Sequence, residues 1–146
     1  MNTTALSELY SASEGIARQT LIVLAYFTGQ RPGDLIDIEW SAIQADMVTV
    51  HQKKTGRLVD RPLHPVIVDH LNRLHRTGER IFSDTDRTIQ RGLLDVRRFA
   101  CSEIEKVSTG LGAALLGHAD REVEIGILRD GINQMPFPVA WKGGEK

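Results

Sequence analysis

A lone cysteine, Cys101, leaves the 146-residue chain without the means for an internal disulfide, and such usage fits a reducing compartment. Long hydrophobic runs are missing as well. The longest, Leu21 to Phe27, is far too short to span a bilayer, so no membrane partner is expected. The opening Met1-Asn2-Thr3-Thr4 has neither the basic flank nor the apolar stretch of a secretory leader, which makes the cytoplasm the expected location. No glycine-rich nucleotide loop, low-complexity tract or internal repeat is visible. Metal-binding spacing is absent too. His70 and His75 are five residues apart and fall on different faces of a helix, unlike the i, i+4 pair of a zinc helix. His51 and His64 lie on or near a hairpin and read as surface residues. Cys101, among Phe99, Ala100 and Ile104, reads as a core thiol. Neither a metal nor another cofactor is expected.

A surplus of one charge is also nearly absent. Eighteen Lys and Arg face nineteen Asp and Glu, for a formal net charge of −1, a balance that by itself speaks against nucleic-acid binding. The average conceals segregation. Residues 1–50 carry two basic and six acidic side chains, residues 51–98 eleven and six, and residues 99–146 five and seven. The middle third is therefore a basic block of net +5 between flanks of −4 and −2. With 41% hydrophobic and 25% charged residues the chain has the composition of an ordinary folded protein, and its length suits one domain.

Periodicity gives the elements. Ile16, Leu21, Leu24, Ala25 and Phe27 predict a largely buried helix over 15–29, with Gly29 as its terminator. Pro32, favoured at a first helical position, opens a short helix through Leu35, Ile36 and Ile38 to Trp40, with Asp34 in its first turn. From Met47 the period falls to two: Val48 and Val50 alternate with Thr49 and His51, and Leu58-Val59 follows the turn Lys53-Lys54-Thr55-Gly56-Arg57. That pattern is a β-hairpin with a basic tip. Helical spacing returns over 65–76, over 87–106, and in shorter stretches at 109–117 and 120–129. Pro136, Pro138, Gly143 and Gly144 mark residues 131–146 as an extended or disordered tail. The expected architecture is mainly α with a small antiparallel β-sheet, an α+β domain over 1–130.

Three stretches carry chemistry: Thr28-Gly29-Gln30-Arg31-Pro32-Gly33-Asp34, Lys53-Lys54-Thr55-Gly56, and Asp95-Val96-Arg97-Arg98 followed by Leu116-Gly117-His118. Taken singly each has a plain explanation. Arg31 suits a cap or a partner for Asp34 or Asp37, the turn lysines suit a solvated loop, Arg97 and Arg98 suit a helix surface, and His118 suits a helix cap. Converging, two Arg, one Lys and one His make a phosphate clamp, because guanidinium forks bind phosphate oxygens bidentately and Lys or His donates to an oxygen gaining charge.

In this order the motifs resemble the catalytic domain of the tyrosine recombinases, the phage-integrase family. The family's arginine after Thr-Gly-x matches Thr28-Gly29-Gln30-Arg31, with Asp34 where an acidic residue is customary. Its hairpin lysine matches Lys54-Thr55-Gly56, 23 residues on. Its His-x-x-Arg matches Leu94-Asp95-Val96-Arg97, and its Leu-Gly-His matches Leu116-Gly117-His118 letter for letter. The resemblance covers roughly 5–127 and implies a tyrosine-recombinase-like fold. It also implies catalytic-site positions at Arg31, Lys54, Arg97 and His118, and DNA contacts from Lys53, Arg57 and Arg98. The implied partner is double-stranded DNA, bound with moderate, salt-sensitive affinity, together with a second copy or an active recombinase.

Departures qualify the activity. Leu94 replaces a proton-handling His, and the two arginines are 66 residues apart, a shorter interval than the family's. Ile127 stands where the nucleophilic Tyr is expected, and the only tyrosines are Tyr10 and Tyr26. These 146 residues leave no room for the family's separate N-terminal DNA-clamping domain. The implied function is DNA binding tied to DNA integration or recombination, with a degenerate active site unable to cleave by itself. Two alternatives stand beside it. One is a recombinase component using a nucleophile from another chain; the other is a non-DNA interaction module that presents Phe137 and Trp141 on the tail as a docking peptide.

Overall fold

The computed structural model describes residues 1–117 and 125–142. Seven helices and three strands are described, in the order α1 Thr3–Ala12, α2 Gly15–Thr28, α3 Pro32–Ile36, β1 Ile43–Gln44, β2 Met47–Gln52, β3 Arg57–Pro62, α4 Pro65–Asn72, α5 Gln90–Val107, α6 Leu111–Leu116 and α7 Ile125–Asn133. The α+β architecture is thus mainly helical with one antiparallel sheet in the order β1-β2-β3.

Helix α2 is the centre of the core. Every residue from Thr20 to Thr28 is buried, and α1, α3, α4 and α5 all pack against it. The two threonines tolerate this because their hydroxyls donate to the carbonyls of Ile16 and Leu24 one turn back. Helix α5 supplies the facing stripe, Leu93, Val96, Ala100 and Ile104, at the helical repeat that keeps them on one side. In the sheet, Val48, Val50 and Gln52 of β2 lie opposite Arg61, Val59 and Arg57 of β3. These positions form the inner face, and the outward Leu58 is 70% exposed.

Several expectations are corrected. The short helix stops at Ile36 instead of Trp40, because Ile38 and Trp40 form backbone hydrogen bonds with Ile81 and Glu79. Helix α1 precedes the first helix expected from periodicity and buries Leu6 and Tyr10. Residues 131–142 are not an extended or disordered tail. Helix α7 continues to Asn133, Met135 is buried, and Trp141 is 0% exposed among Tyr10, Tyr26, Phe27 and Phe137. Trp141 is therefore a core residue and not part of a free docking peptide. The prolines shape this segment into a strap, and the Tyr26 hydroxyl fixes it by donating to the Pro136 carbonyl.

His64 is buried as well, not on the surface. Its ring stacks on Phe27 with centroids 4.1 Å apart, and its Nδ1 accepts the Val66 N–H at 3.0 Å to cap α4. His70 is enclosed between the Tyr10 hydroxyl at 2.7 Å and the Val66 carbonyl at 2.8 Å. Burial pushes His64 down from 6.5 to about 4 and lowers His70 too. The unfolded chain then binds more protons at His64 than the folded one between those values, so the stability that His64 contributes falls as pH drops from about 6.5 to about 4 and is lost below. The His64 contribution alone is up to about 3 kcal/mol. His64→Asn keeps a cap acceptor and removes the titration. Urea melts at pH 7 and 4.5 should show a smaller acid-induced loss for this variant than for the wild type, although its stability at pH 7 is lower for want of the stacked ring.

Candidate functional site

The end of α2 begins the site. Gly29 takes a left-handed conformation at φ 65° and closes the helix through its N–H to the Ala25 carbonyl. A Cβ here would come within 2.8 Å of Leu115 carbons, so glycine also permits α6 to approach. Arg31 follows as the extended residue that caps α3, Pro32 takes the first helical position, and Asp34 lies buried in the first turn. One Asp34 oxygen accepts the Lys53 N–H at 3.3 Å. The other is buried with no hydrogen-bond partner among the described residues. Arg97, on the edge of the buried stripe of α5, donates from Nε to the Gly29 carbonyl at 2.8 Å.

Arg31, Asp34, Arg57 and Arg97 thereby line one pocket of about 300 Å³, with Gln52, Thr55, Leu116 and Gly117 completing it. Three guanidinium groups face one carboxylate, so the lining is strongly cationic. Arg97 feels this. Its pKa is lowered by burial first and then by the Arg31 charge, while Asp34 acts in the opposite sense. Among the described residues Arg31 has no hydrogen-bond or ion-pair partner, and Arg97 has none beyond Gly29. A concave site with uncommitted guanidinium donors is chemically suited to a phosphate or another oxyanion.

The far wall is the C-terminal end of α6, whose last carbonyls need donors. Long-range side chains supply them. Arg61 reaches the Leu115 and Ala114 carbonyls at 2.9 Å each, and Gln30 reaches Leu115 at 2.9 Å. Gln52 reaches Leu116 at 2.9 Å and the Gln30 side-chain oxygen at 2.8 Å. Arg57 reaches Gly117 at 2.6 Å. Burial lowers Arg61 to about 10, a cost set against these charge-assisted bonds. Gly117, left-handed at φ 81°, ends α6, and a Cβ there would lie 2.7 Å from the Gln52 amide nitrogen. Gln30, Gln52 and Arg61 belong to no motif that would mark them as a clasp in the sequence. Alternation held the signal for two of them, since Gln52 is in phase with Val48 and Val50, and Arg61 with Val59.

The other expected site residues are dispersed. Lys54 is exposed in the hairpin turn and does not line the pocket. Lys53 donates its ammonium to the Gly33 carbonyl at 3.1 Å and pairs with Asp37. Arg98 is exposed and borders a second cavity of about 420 Å³ with Arg97, Cys101, Ser102, Glu105 and Leu116. Cys101 is thus only partly enclosed, and its thiol is pushed up by burial and then by Glu105. His118 lies outside the described residues. Leu94 and Ile127 are exposed, Ile127 by 52%, and neither lines the pocket. Tyr10 and Tyr26 are both buried in the core, where burial raises their pKa values and keeps the phenols protonated. Among the described residues no cluster of three or more His, Cys, Asp or Glu is placed to hold a metal, and no helix is long and apolar enough to cross a membrane.

No protein-family model and no curated protein matches the chain in sequence. Solved structures do match in shape. The lambda integrase catalytic core superposes with a TM-score of 0.67 at 24% identity, covering 86% of this chain and 98% of that one. A lambda integrase dimer bound to a COC' core site gives 0.66 at 22% identity over 95% of this chain. The XerA recombinase gives 0.59 at 15% over 93%. The chain spans 50% of the DNA-bound integrase chain and 58% of the XerA chain. At these identities the likeness is one of fold: this is a tyrosine-recombinase-like catalytic-domain fold.

Proposed function

We propose that this chain binds the phosphodiester backbone of duplex DNA, with Arg31 and Arg97 gripping one phosphate, and that it does not cut the strand it holds. The observation that carries the reading is the cationic pocket, whose guanidinium donors are largely uncommitted among the described residues. Exposed Lys54 and Arg98, both in the basic 51–98 block, add contacts to neighbouring phosphates. His118 contributes a further hydrogen bond on the strength of its place in Leu-Gly-His. Such contacts position a protein on DNA and carry little sequence information. The integrase structures of the same fold include DNA-bound dimers and a Holliday-junction tetramer, which supports duplex DNA as ligand and a second copy or an active recombinase as partner in recombination or integration.

Cleavage in this architecture needs a nucleophile at the phosphate. Both tyrosines of the chain are core residues, and Ile127 occupies the place where the resemblance sets a tyrosine. The site is accordingly a degenerate one that retains the grip and lacks the attack. The test is binding to nicked and suicide duplexes over a salt series, followed by a search for a covalent adduct that survives denaturation. The expected result is affinity that falls with salt by about 0.9 log units per decade for each phosphate contacted, with no adduct. Absence of binding at low salt would leave the interaction-module alternative, and any adduct would overturn the claim that the chain cannot cleave.

A further inference from the structure

We infer that Arg57, and not the turn lysine Lys54, is the third oxyanion ligand of the pocket, alongside Arg31 and Arg97. The inference rests on the phosphate-binding reading above and names the side chain that completes that site. Strand geometry gives the first reason. Arg57 opens β3 on the inner face, in phase with Val59 and Arg61 and opposite Gln52, because side chains two apart on a strand share a face. The strand thus places it in the pocket lining, whereas Lys54 is exposed in the turn and outside it.

Anchoring gives the second reason. Arg57 Nη1 is held by the Gly117 carbonyl at 2.6 Å, and no other side-chain bond of Arg57 is formed among the described residues. A planar guanidinium fixed at one nitrogen holds its remaining N–H groups in a defined fork, so Nε and Nη2 are pre-oriented donors. Charge gives the third. Three guanidinium groups against the single Asp34 carboxylate leave an excess of two positive charges in about 300 Å³. An oxyanion seated among them offsets their mutual repulsion and accepts from more than one fork.

The test uses the whole chain as wild type, Arg57→Gln and Lys54→Gln, each replacement removing one positive charge. Inorganic phosphate is titrated at constant ionic strength and followed by thermal melting, and duplex affinity is measured in parallel over a salt series. The expected result is a phosphate-dependent rise in Tm for the wild type, and phosphate affinity at least about tenfold weaker in Arg57→Gln, a larger loss than in Lys54→Gln. The duplex salt slope of Arg57→Gln becomes shallower by about one, a change that a merely structural role at Gly117 would not produce. Equal or reversed losses in the two variants, or a wild type that does not respond to phosphate, would overturn the assignment. Should Arg57→Gln fail to fold, Arg57→Lys keeps the charge and a donor for Gly117 but loses the fork, so it should weaken phosphate binding more than Lys54→Gln does while leaving the duplex salt slope unchanged. A phosphate response without duplex binding would sink the DNA reading while leaving Arg57 in place; duplex binding without a phosphate response would do the reverse.

Discussion

Replacing Trp141 with alanine is expected to lower the unfolding free energy by about 3–5 kcal/mol, a large part of the roughly 5–15 kcal/mol typical of a domain. The indole is 0% exposed and lies within 5.4–6.3 Å, centroid to centroid, of Tyr26, Tyr10, Phe27 and Phe137. Those rings come from α1, α2 and the strap itself, so no single neighbour can collapse into the void. Truncation also releases the segment that the Tyr26 hydroxyl holds at the Pro136 carbonyl. Urea melts of the wild type and Trp141→Ala, with m-values compared, read the effect. A change within about 0.5 kcal/mol, the range of surface substitutions, would mean that residues 135–142 do not pack on the core in solution.

The double replacement Arg31→Ala with Arg97→Ala should abolish most duplex binding. A hydrogen bond to a charged group contributes about 1.5–3 kcal/mol, so each single variant loses on the order of tenfold to a hundredfold. The pair should lose more, without simple additivity, because both side chains line one pocket and the proposed grip places them on one phosphate. The free protein should respond differently to the two single changes. Arg31 has no partner among the described residues and its charge works against Arg97, so Arg31→Ala leaves the melting temperature unchanged or raises it. Arg97→Ala removes the donor to the Gly29 carbonyl and lowers it. Affinity and melting temperature measured on the same samples separate binding from folding. Near wild-type affinity in the double variant would place the DNA contacts elsewhere.

Much of this was legible in the sequence because it rests on local rules. The apolar run of α2, the terminating Gly29, the Pro32 start and the alternation about the basic turn each follow from short-range sterics and periodicity, and all appear in the structure. What was not legible depends on partners far along the chain. Trp141 reads as tail because prolines precede it and glycines follow it, and only the aromatic cluster it joins on α1 and α2 makes it core. His64 reads as surface because it adjoins a hairpin, yet Phe27 covers it. Lys54 reads as the hairpin's contribution to the site because it belongs to a familiar triplet. The strand phase instead places Arg57 there, since a side chain's face depends on where the turn ends and the ladder resumes at the Gln52–Arg57 pair.

The clasp on the end of α6 bears on how the molecule comes apart. Its bonds join residues 53 to 85 positions distant in the chain. Contacts of such sequence separation require large loops to close before they return any energy. Such contacts are expected to form late on the folding route, so weakening them should accelerate unfolding more than it slows folding. On that expectation the wall of the cationic pocket is also a latch on the lifetime of the native state. Gln30 and Arg61, which lie outside the pocket lining, are thus expected to set how long an assembled site endures.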